Sequence, residues 1–530
     1  MAEDMSPRLG VFGDPVASTP NLDQLAERGV MYSNTYTTAG VCAPSRAAHI
    51  LGRHQMATGT QHMRTTRGPL GTYRSVPPAD AKAYPELLRA AGYYTYTDDK
   101  LDYQFSGPLA GSGPFTIWDE EGANSHWRKR GDGQAFFGFV NFQVTHESGV
   151  FRPLGSWPHG PLHFVMQLAR AWRIPDIQPA RSVLAHEVPL PPYYPDTPTV
   201  RADVARHYNN IGVMDRQVGA ILQQLEQDGL AESTIVIWTT DHGDGLPRAK
   251  RELFDSGIHV PLIIYWPEAY RPDGVAPGSV DERLISFVDL APTILSLAGV
   301  TVPDGMPGLN LVSGPQRQYV FAARDRIDEI ADRQRAVRDS RYKYIRSWQP
   351  RQPGGHALAF RDNIDMMRQM HTLYAEGKLN AVQRQWFEPP GEERLFDTLT
   401  DPHELHDLSA DAGHARVLER MRGALDAWLN ETPDLSEISE AEMLARFQPQ
   451  GETPVTPPPR FSLSNGRVVL GAEYNASIGY RINGGDWQLY SQPMPLERRV
   501  TVHAKAVRYG WEESDEISFV IPVEPPSAPE

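Results

Sequence analysis

Short apolar runs rich in β-branched and aromatic residues alternate along the chain with segments whose apolar positions recur at helical spacing. The runs that predict strands are residues 93–97, 136–144, 235–240 and 260–266. In residues 19–29 and 213–225 the apolar positions lie three and four apart, which predicts amphipathic helices. This alternation predicts an α/β fold with a large, mostly parallel sheet flanked by helices.

Polar residues capable of chemistry follow three of the predicted strands. They are Lys100 and Asp102, then His146, then Asp241 and His242. In sheets of this class, ligands bind outside the carboxyl ends of the strands. We therefore expect the functional site at that edge of the sheet, with Lys250 before the next strand as a further candidate.

The C-terminal part of the chain has a different pattern. Residues 448–459 are rich in proline and predict a stiff linker. After them, short alternating strands are separated by Asn-Gly and Gly-Gly turns, which predicts a β-sandwich over residues 460–530. We expect this small domain to serve in packing or as a spacer, with glycan binding as the alternative.

Composition excludes several classes of protein. The chain has 530 residues, of which 40% are hydrophobic and 22% charged, so it is long enough for two or three domains with a substantial core. No apolar run approaches the roughly 18 residues of a membrane span. With 66 acidic and 51 basic residues, a net charge of −15 and no basic run, nucleic acid is not an expected partner.

The single cysteine, Cys42, lies where a helix is predicted to begin. Pro44 and Ser45 suit the first turn, a short apolar stretch follows, and Gly52 ends the helix. A lone cysteine is ordinarily a small buried apolar residue. Here the positive end of the helix dipole and the guanidinium of Arg46 favour anion chemistry at Cys42.

The run from Cys42 to Gly52 resembles the signature of the type I, formylglycine-dependent sulfatases of the alkaline phosphatase superfamily. The matching residues are Cys42, Pro44, Ser45, Arg46 and Gly52, while Leu51 stands where the family usually has threonine. The resemblance implies that a formylglycine-generating maturation enzyme oxidises Cys42 to Cα-formylglycine. The hydrate of that aldehyde carries two geminal hydroxyls.

The resemblance also implies a metal site. Its ligands would be Glu3 and Asp4, the modified Cys42, and the pair Asp241 and His242, which is usually Asp-Asn in the family. Such a donor set fits Ca²⁺, with Mg²⁺ or Mn²⁺ as alternatives. The family strand that precedes the first acidic pair is not in this sequence, so we expect a late start codon or a fragment.

Catalytic roles follow from the same resemblance. Arg46, Lys100 and Lys250 would hold the sulfonate oxygens, and His146 would protonate the leaving alkoxide. The family histidine two residues after the lysine is replaced by Asp102. Either Asp102 is the base that deprotonates the hydrate, or His242 takes over, or Asp102 merely pairs with Lys100.

Taken together, the resemblance implies a sulfatase that attacks the sulfur of a sulfated carbohydrate with the formylglycine hydrate of residue 42. A phosphodiester or phosphonate monoester hydrolase of the same superfamily is the first alternative, and a non-catalytic glycan-binding relic is the second. By resemblance, residues 1–340 form the catalytic domain, 341–447 a C-terminal subdomain, and 460–530 a chitobiase-type C-terminal domain. The location that is usual in the family implies that the full-length protein is periplasmic or secreted.

Overall fold

The computed structural model describes residues 1–63, 72–174, 176–495 and 500–521. The chain divides into two compact units, each assembled from three separate segments. The first unit comprises Met1–Ser45, Asn141–Phe287 and Leu309–Pro433, and the second comprises Arg46–Val140, Val288–Gly308 and Asp434–Glu530. The predicted domain boundaries are continuous in sequence and remain predictions.

The first unit has an α/β core. Its helices are α1 (Pro20–Arg28), α4 (Pro161–Arg173), α5 (Pro198–Gln227), α6 (Asp255–Ile258), α8 (Asp365–Ala375), α9 (Ala381–Arg384) and α10 (Ala415–Glu431). Its strands are β1 (Val30–Tyr36), β5 (Val236–Thr239), β6 (His259–Tyr265), β7 (Ser279–Ser286), β8 (Val320–Ile327), β9 (Ile330–Arg338), β10 (Tyr342–Ser347) and β11 (Glu393–Asp397). The helix α2 (Cys42–Leu51) begins in this unit and ends in the second.

Two sheets organise the first unit. One has the order β5-β6-β1-β7 and is mixed, because β6 runs antiparallel to both β5 and β1 whereas β7 runs parallel to β1. The other, β11-β10-β9-β8, is antiparallel throughout. A core of buried residues contributed by α5, α8 and this second sheet includes Val204, Met367, Val320 and Ile345.

The first residues of the chain pair as a strand would. Ala2 forms parallel bridges with both Thr240 and Phe142. Its N–H donates to the carbonyl of Thr239 at 2.9 Å, and the N–H of Asp241 donates to the carbonyl of Ala2 at 3.1 Å. Glu3 and Asp4 therefore emerge beside the turn that follows β5, although the sequence contains only two residues before them.

The second unit combines a small parallel sheet with a C-terminal sandwich. Its helices are α3 (Tyr84–Ala90), α7 (Leu290–Leu297) and α11 (Glu440–Phe447). The strands β2 (Tyr94–Thr97), β3 (Glu120–Glu121) and β4 (Phe136–Phe139) form the parallel sheet in the order β3-β2-β4. The sandwich strands are β12 (Arg460–Ser464), β13 (Arg467–Gly471), β14 (Ser477–Ile482), β15 (Gln488–Leu489), β16 (Met494–Pro495), β17 (Val500–Val507) and β18 (Ile517–Ile521).

The sandwich consists of two antiparallel sheets, β12-β13-β16 and β15-β14-β17-β18. Val468 and Leu470 of the first sheet and Val502 and Ala504 of the second share one buried core. Within the predicted linker, the N–H of Thr456 donates to the carbonyl of Glu512 at 3.0 Å. This part of the segment is thus attached to the sandwich.

The sandwich packs on α3 and the loop before β3 within the second unit. The carboxylate of Glu86 on α3 accepts hydrogen bonds from Tyr509 at 2.8 Å, Ser477 at 2.5 Å and Thr116 at 2.6 Å. Phe115 lies directly against Gly479, where a Cβ would come within 2.1 Å of the ring. None of the helices in the described ranges combines the length and hydropathy needed to cross a bilayer.

Candidate active site

Four side chains that can bind a metal converge at the end of β5. Asp4, Cys42, Asp241 and His242 are all fully buried, and each offers one ligand atom within 4.8 Å of the other three. Cys42 is the first residue of α2, as the sequence predicts. Lys250 also contacts this group through Asp4 and Cys42, so the structure brings together five of the predicted residues.

A short chain of hydrogen bonds fixes the start of α2 to the turn after β5. The hydroxyl of Ser45 donates to the backbone carbonyl of Asp241 at 2.5 Å and lies 2.6 Å from the hydroxyl of Thr37. The Oδ1 atom of Asp241 accepts from the backbone N–H groups of Asp4 and His242, both at 3.0 Å. The relative positions of Cys42, Asp4 and Asp241 are therefore set largely by backbone contacts.

Asp4 is the most highly connected of these carboxylates. Its backbone lies in the left-handed region with a φ of 51°, a conformation that is uncommon outside glycine and clusters at functional sites. Its Oδ2 atom accepts from Lys250 Nζ at 2.5 Å and from the backbone N–H of Glu147 at 2.7 Å. Its Oδ1 atom lies 3.0 Å from His242 Nε2.

The sulfur of Cys42 lies among charged groups. His242 Nε2 and Lys250 Nζ are both 3.3 Å from Sγ, and Asp4 Oδ1 is 3.6 Å away. The Nδ1 atom of His242 lies 2.9 Å from the carbonyl of Gly243. A carbonyl accepts from an N–H, so Nδ1 carries the proton and the second ring nitrogen faces Cys42 and Asp4.

Lys250 is itself held by a second layer of buried ions. Its Nζ lies 3.1 Å from Glu147 Oε1, and Arg251 binds both oxygens of Glu147 at 2.8 Å. Although burial opposes ionisation, Arg251 and Lys250 hold the pKa of Glu147 well below its usual range. Glu147 and Arg251 were not among the site residues predicted from the sequence, yet each directly follows a predicted one, His146 and Lys250, and this adjacency is the signal that could have identified them.

The charges around Cys42 fit a bound cation. Burial lowers the pKa of His242, but the carboxylates of Asp241 and Asp4 outweigh it and raise the pKa to about 10. Although burial raises the pKa of Asp4, Lys250, His146 and His242 hold it well below its usual range. Carboxylates with an imidazole are the donors that a divalent metal takes, and a metal competes with the imidazole proton. The residues present therefore fit a metal site.

Glu3 and His146 form a second group around Asp4. Their ligand atoms and that of Asp4 lie within 4.8 Å of one another. Glu3 is buried and His146 is half-buried. His146 Nδ1 lies 2.9 Å from the hydroxyl of Ser148, and its ring packs against Phe360 with centroids 6.1 Å apart. Both residues thus lie beside the four-residue group.

Arg46, Lys100 and Asp102 belong to the second unit. Arg46 is buried one turn after Cys42 in α2. Lys100 Nζ lies 3.6 Å from Asp102 Oδ2, and both side chains are buried. The pairing that sequence analysis gave as one alternative is therefore present. Asp102 also has a positive φ of 58°, the conformation found for Asp4.

Comparison with known proteins identifies the family. Residues 1–300 match the sulfatase family, and residues 248–388 match the family described as N-sulphoglucosamine sulphohydrolase, C-terminal. The chain is 39% identical over 553 residues to an ulvan-active sulfatase of Formosa agariphila, covering 98% of this chain and 90% of the relative.

Solved structures show the same fold at low sequence identity. One described as a 2-O GAG sulfatase has a TM-score of 0.56 and 19% identity, covering 83% of this chain and 93% of that one. A phosphonate monoester hydrolase from Silicibacter pomeroyi has a TM-score of 0.52 and 16% identity, covering 89% and 98%. The family match over more than half of the chain and the 39% identity confirm the predicted family. The chain belongs to the sulfatase family and is a hydrolase of sulfate esters.

Proposed function

We propose that this enzyme hydrolyses sulfate esters of a sulfated polysaccharide, with the formylglycine hydrate derived from Cys42 as the nucleophile. The observation that carries the proposal is the position of Cys42 Sγ, which lies 3.3 Å from both His242 and Lys250 and 3.6 Å from Asp4. An oxygen atom in that place would lie beside an ammonium group, an imidazole nitrogen and a carboxylate. This is an environment in which a hydroxyl becomes a better nucleophile.

Ulvan is the first substrate to test. The relative named for activity on ulvan is aligned with nearly all of this chain. We further propose that the enzyme acts in the periplasm or outside the cell, since a polysaccharide of this size does not enter the cytoplasm intact. A formylglycine-generating enzyme must then act on Cys42 in the producing cell.

We propose that Asp4, Asp241 and His242, with Glu3 and the modified residue 42, hold a divalent cation, with Ca²⁺ as the first choice. When bound, such an ion lowers the pKa of a coordinated hydroxyl and offsets negative charge on the sulfonate oxygens. The carboxylates of Asp4 and Asp241 suit Ca²⁺ because it prefers oxygen ligands. Mg²⁺ and Mn²⁺ are the ions to compare.

The cationic side chains have separate roles in this proposal. Lys250, fixed by Asp4 and Glu147, donates to the sulfonate oxygen nearest residue 42. Arg46 and Lys100 bind the remaining oxygens. His146 protonates the leaving alkoxide from Nε2, because its Nδ1 is engaged by Ser148.

The proton acceptor for the second hydroxyl is assigned to Asp102. The Nδ1 atom of His242 faces the carbonyl of Gly243, and its other nitrogen faces Asp4 and Cys42 in the proposed metal site. His242 thus has no further nitrogen for proton transfer, and of the remaining groups we favour the buried carboxylate of Asp102, although it also lies 3.6 Å from Lys100. An Asp102→Asn variant is expected to accumulate sulfate on residue 42, detectable by intact mass, and a Lys100→Met control is expected not to.

The decisive experiment measures sulfate released from ulvan by ion chromatography. The enzyme is produced with a formylglycine-generating enzyme, and the tryptic peptide spanning Cys42 is weighed. Exchange of sulfur for an aldehyde oxygen lowers its mass by about 18 Da. Cys42→Ala must abolish sulfate release. Cys42→Ser is the matched control: its single hydroxyl can accept the sulfate group, but it has no second hydroxyl whose deprotonation would form an aldehyde and release sulfate.

The alternative activity on phosphonate esters is separated by a direct comparison. We expect kcat/KM on an aryl sulfate to exceed that on the corresponding aryl phosphonate monoester. The reverse order would assign the enzyme to phosphonate ester hydrolysis. No turnover together with no calcium binding by calorimetry would support the non-catalytic relic.

A further inference from the structure

Residues 150–174 expose several large apolar side chains to solvent. Trp157 is 87% exposed and Trp172 is 79% exposed, and Phe164 and Leu168 are each 45% exposed. These four residues are called the aromatic platform below. Trp157 follows Ser156, whose carbonyl accepts from Gln167 at 3.3 Å, and Gln167 lies on the helix that carries the other three. Large apolar side chains exposed together on a folded protein mark a binding surface.

The platform has a fixed orientation. Phe164, Leu168 and Trp172 lie four residues apart on α4, so they form one stripe about 12 Å long. The other face of the helix is buried through His163 and Gln167. The side-chain amide of Gln167 donates to the carbonyls of Arg152 and Pro153 at 2.9 and 3.1 Å, which holds the stripe toward solvent.

The helix that carries the platform is bound to the segment that leads into His146. The segment begins immediately after the turn that carries His146 and Glu147. Arg170 on α4 donates to the carbonyl of Val144 at 3.1 Å and to the side chain of Asn210 at 2.8 Å. The helix is therefore held against the same turn that presents His146, the proposed acid for the leaving group.

The charge of this segment is opposite to that of the chain. Residues 150–174 contain three arginines and no acidic residue, whereas the whole chain carries −15. Arg152 is 44% exposed on its side chain and pairs with Asp365 of α8 at 2.5 Å, as does His159. Arg173 is exposed at the end of the helix. Because Arg152 is paired with Asp365 and Arg170 is bound to Val144 and Asn210, Arg173 is the arginine of this segment that is left to solvent, next to Trp172. An exposed guanidinium beside an indole suits an anionic partner with flat apolar faces.

We propose that the aromatic platform binds the sugar chain of a sulfated polysaccharide next to the ester that is cleaved. Indole rings stack on the C–H faces of sugar rings, and guanidinium groups bind sulfate through paired N–H donors. This inference rests on the proposed function. It assigns Trp157, Trp172 and Arg173 as residues that select polymer over small sulfate esters.

The test compares a polymer with a small substrate. The double variant Trp157→Ala/Trp172→Ala is measured by affinity electrophoresis in gels containing ulvan, carrageenan or heparin, and by kcat and KM on ulvan and on an aryl sulfate. We expect about a tenfold rise in Kd for the sulfated polymer that binds wild type, as for loss of aromatic anchors at an interface. Turnover of the aryl sulfate should change less than about twofold.

Two further variants control the result. Tyr270→Ala removes an aromatic residue that is 50% exposed and lies beyond the end of β6 opposite to the site loop, so polymer binding should not change. Trp157→Phe/Trp172→Phe keeps an aromatic face and should restore most of the affinity. Circular dichroism and Tm of every variant are compared with wild type.

Three outcomes would overturn the platform proposal. The first is no difference in polymer binding between wild type and the double variant, including the case in which neither binds any polymer. The second is cosedimentation of wild type, and not the variant, with phosphatidylglycerol vesicles, which assigns the surface to lipid. The third is a wild-type dimer that the double variant converts to monomer in sedimentation velocity. If the wild-type enzyme releases no sulfate, the proposed function is rejected instead.

Discussion

Asp4 in the first unit and Glu86 in the second are both buried carboxylates with at least three hydrogen-bond partners, but the charges of those partners differ. Asp4 is bound by Lys250, His242 and one backbone N–H. Glu86 is bound by the hydroxyls of Thr116, Ser477 and Tyr509. The first carboxylate lies in a cluster of ions, and the second is satisfied by neutral donors.

This difference separates a reactive site from a structural contact. An ion held by other ions can exchange a proton or a side-chain cation for a metal, because the charge balance is preserved. A carboxylate enclosed by rotating hydroxyls needs no such exchange, and its role is to join two elements of the fold. Neutralising Asp4 should therefore lower activity, whereas neutralising Glu86 should lower stability slightly and leave activity unchanged.

The largest effect is expected for Asp4→Asn. Loss of this charge removes a proposed metal donor and the partner of Lys250, so sulfate release from ulvan should fall by at least about 10²- to 10³-fold. Added Ca²⁺ should raise the Tm of chelator-treated wild type but not of the variant. The Glu86→Gln variant is the control and should keep the calcium response. A calcium response that persists in Asp4→Asn would contradict the assignment.

A smaller loss is expected for Arg251→Met. Arg251 binds both oxygens of Glu147, which in turn fixes Lys250, so the variant should lower kcat by about tenfold or more with little change in KM. Arg251→Lys should recover only part of the rate, because lysine does not reproduce the paired contact. A change in KM alone would assign Arg251 to substrate binding.

The contact of the sandwich with Phe115 should affect stability and not chemistry. Gly479→Ala places a Cβ within 2.1 Å of the Phe115 ring, which should cost about 1–3 kcal/mol and lower Tm by a few degrees. Gly471→Ala in β13 is the matched control, because its Cβ meets nothing within 4 Å. Equal Tm values for the two variants would contradict this prediction, because they would show that the structure shifts to accommodate the added Cβ.

The smallest effect is expected for Glu86→Gln. The glutamine keeps an acceptor, and the hydroxyls of Ser477, Thr116 and Tyr509 can rotate to accept from its amide, so Tm should fall by only about 1–3 °C. Activity at 25 °C should equal that of wild type. A large loss of activity in Glu86→Gln would contradict the purely structural role given to this carboxylate.

Local patterns predicted the elements of the site well, and contacts distant in sequence were not predictable. The helix that begins at Cys42 and the turn at Asp241 follow from residues close to them in sequence. The pairing of Ala2 with Thr240 and Phe142 does not, because no pattern in two residues identifies a strand. Strand direction is likewise absent from apolar runs, and β6 is antiparallel to its neighbours.

The attachment of the sandwich to α3 also sets an order of events during synthesis. Ser477 and Tyr509 follow Glu86 by 391 and 423 residues. At about 5–20 residues per second, Glu86 waits roughly 20–80 s on the ribosome before its partners are made. These two contacts of the second unit can therefore form only near the end of translation, and until then Glu86 lacks two of its three hydroxyl partners.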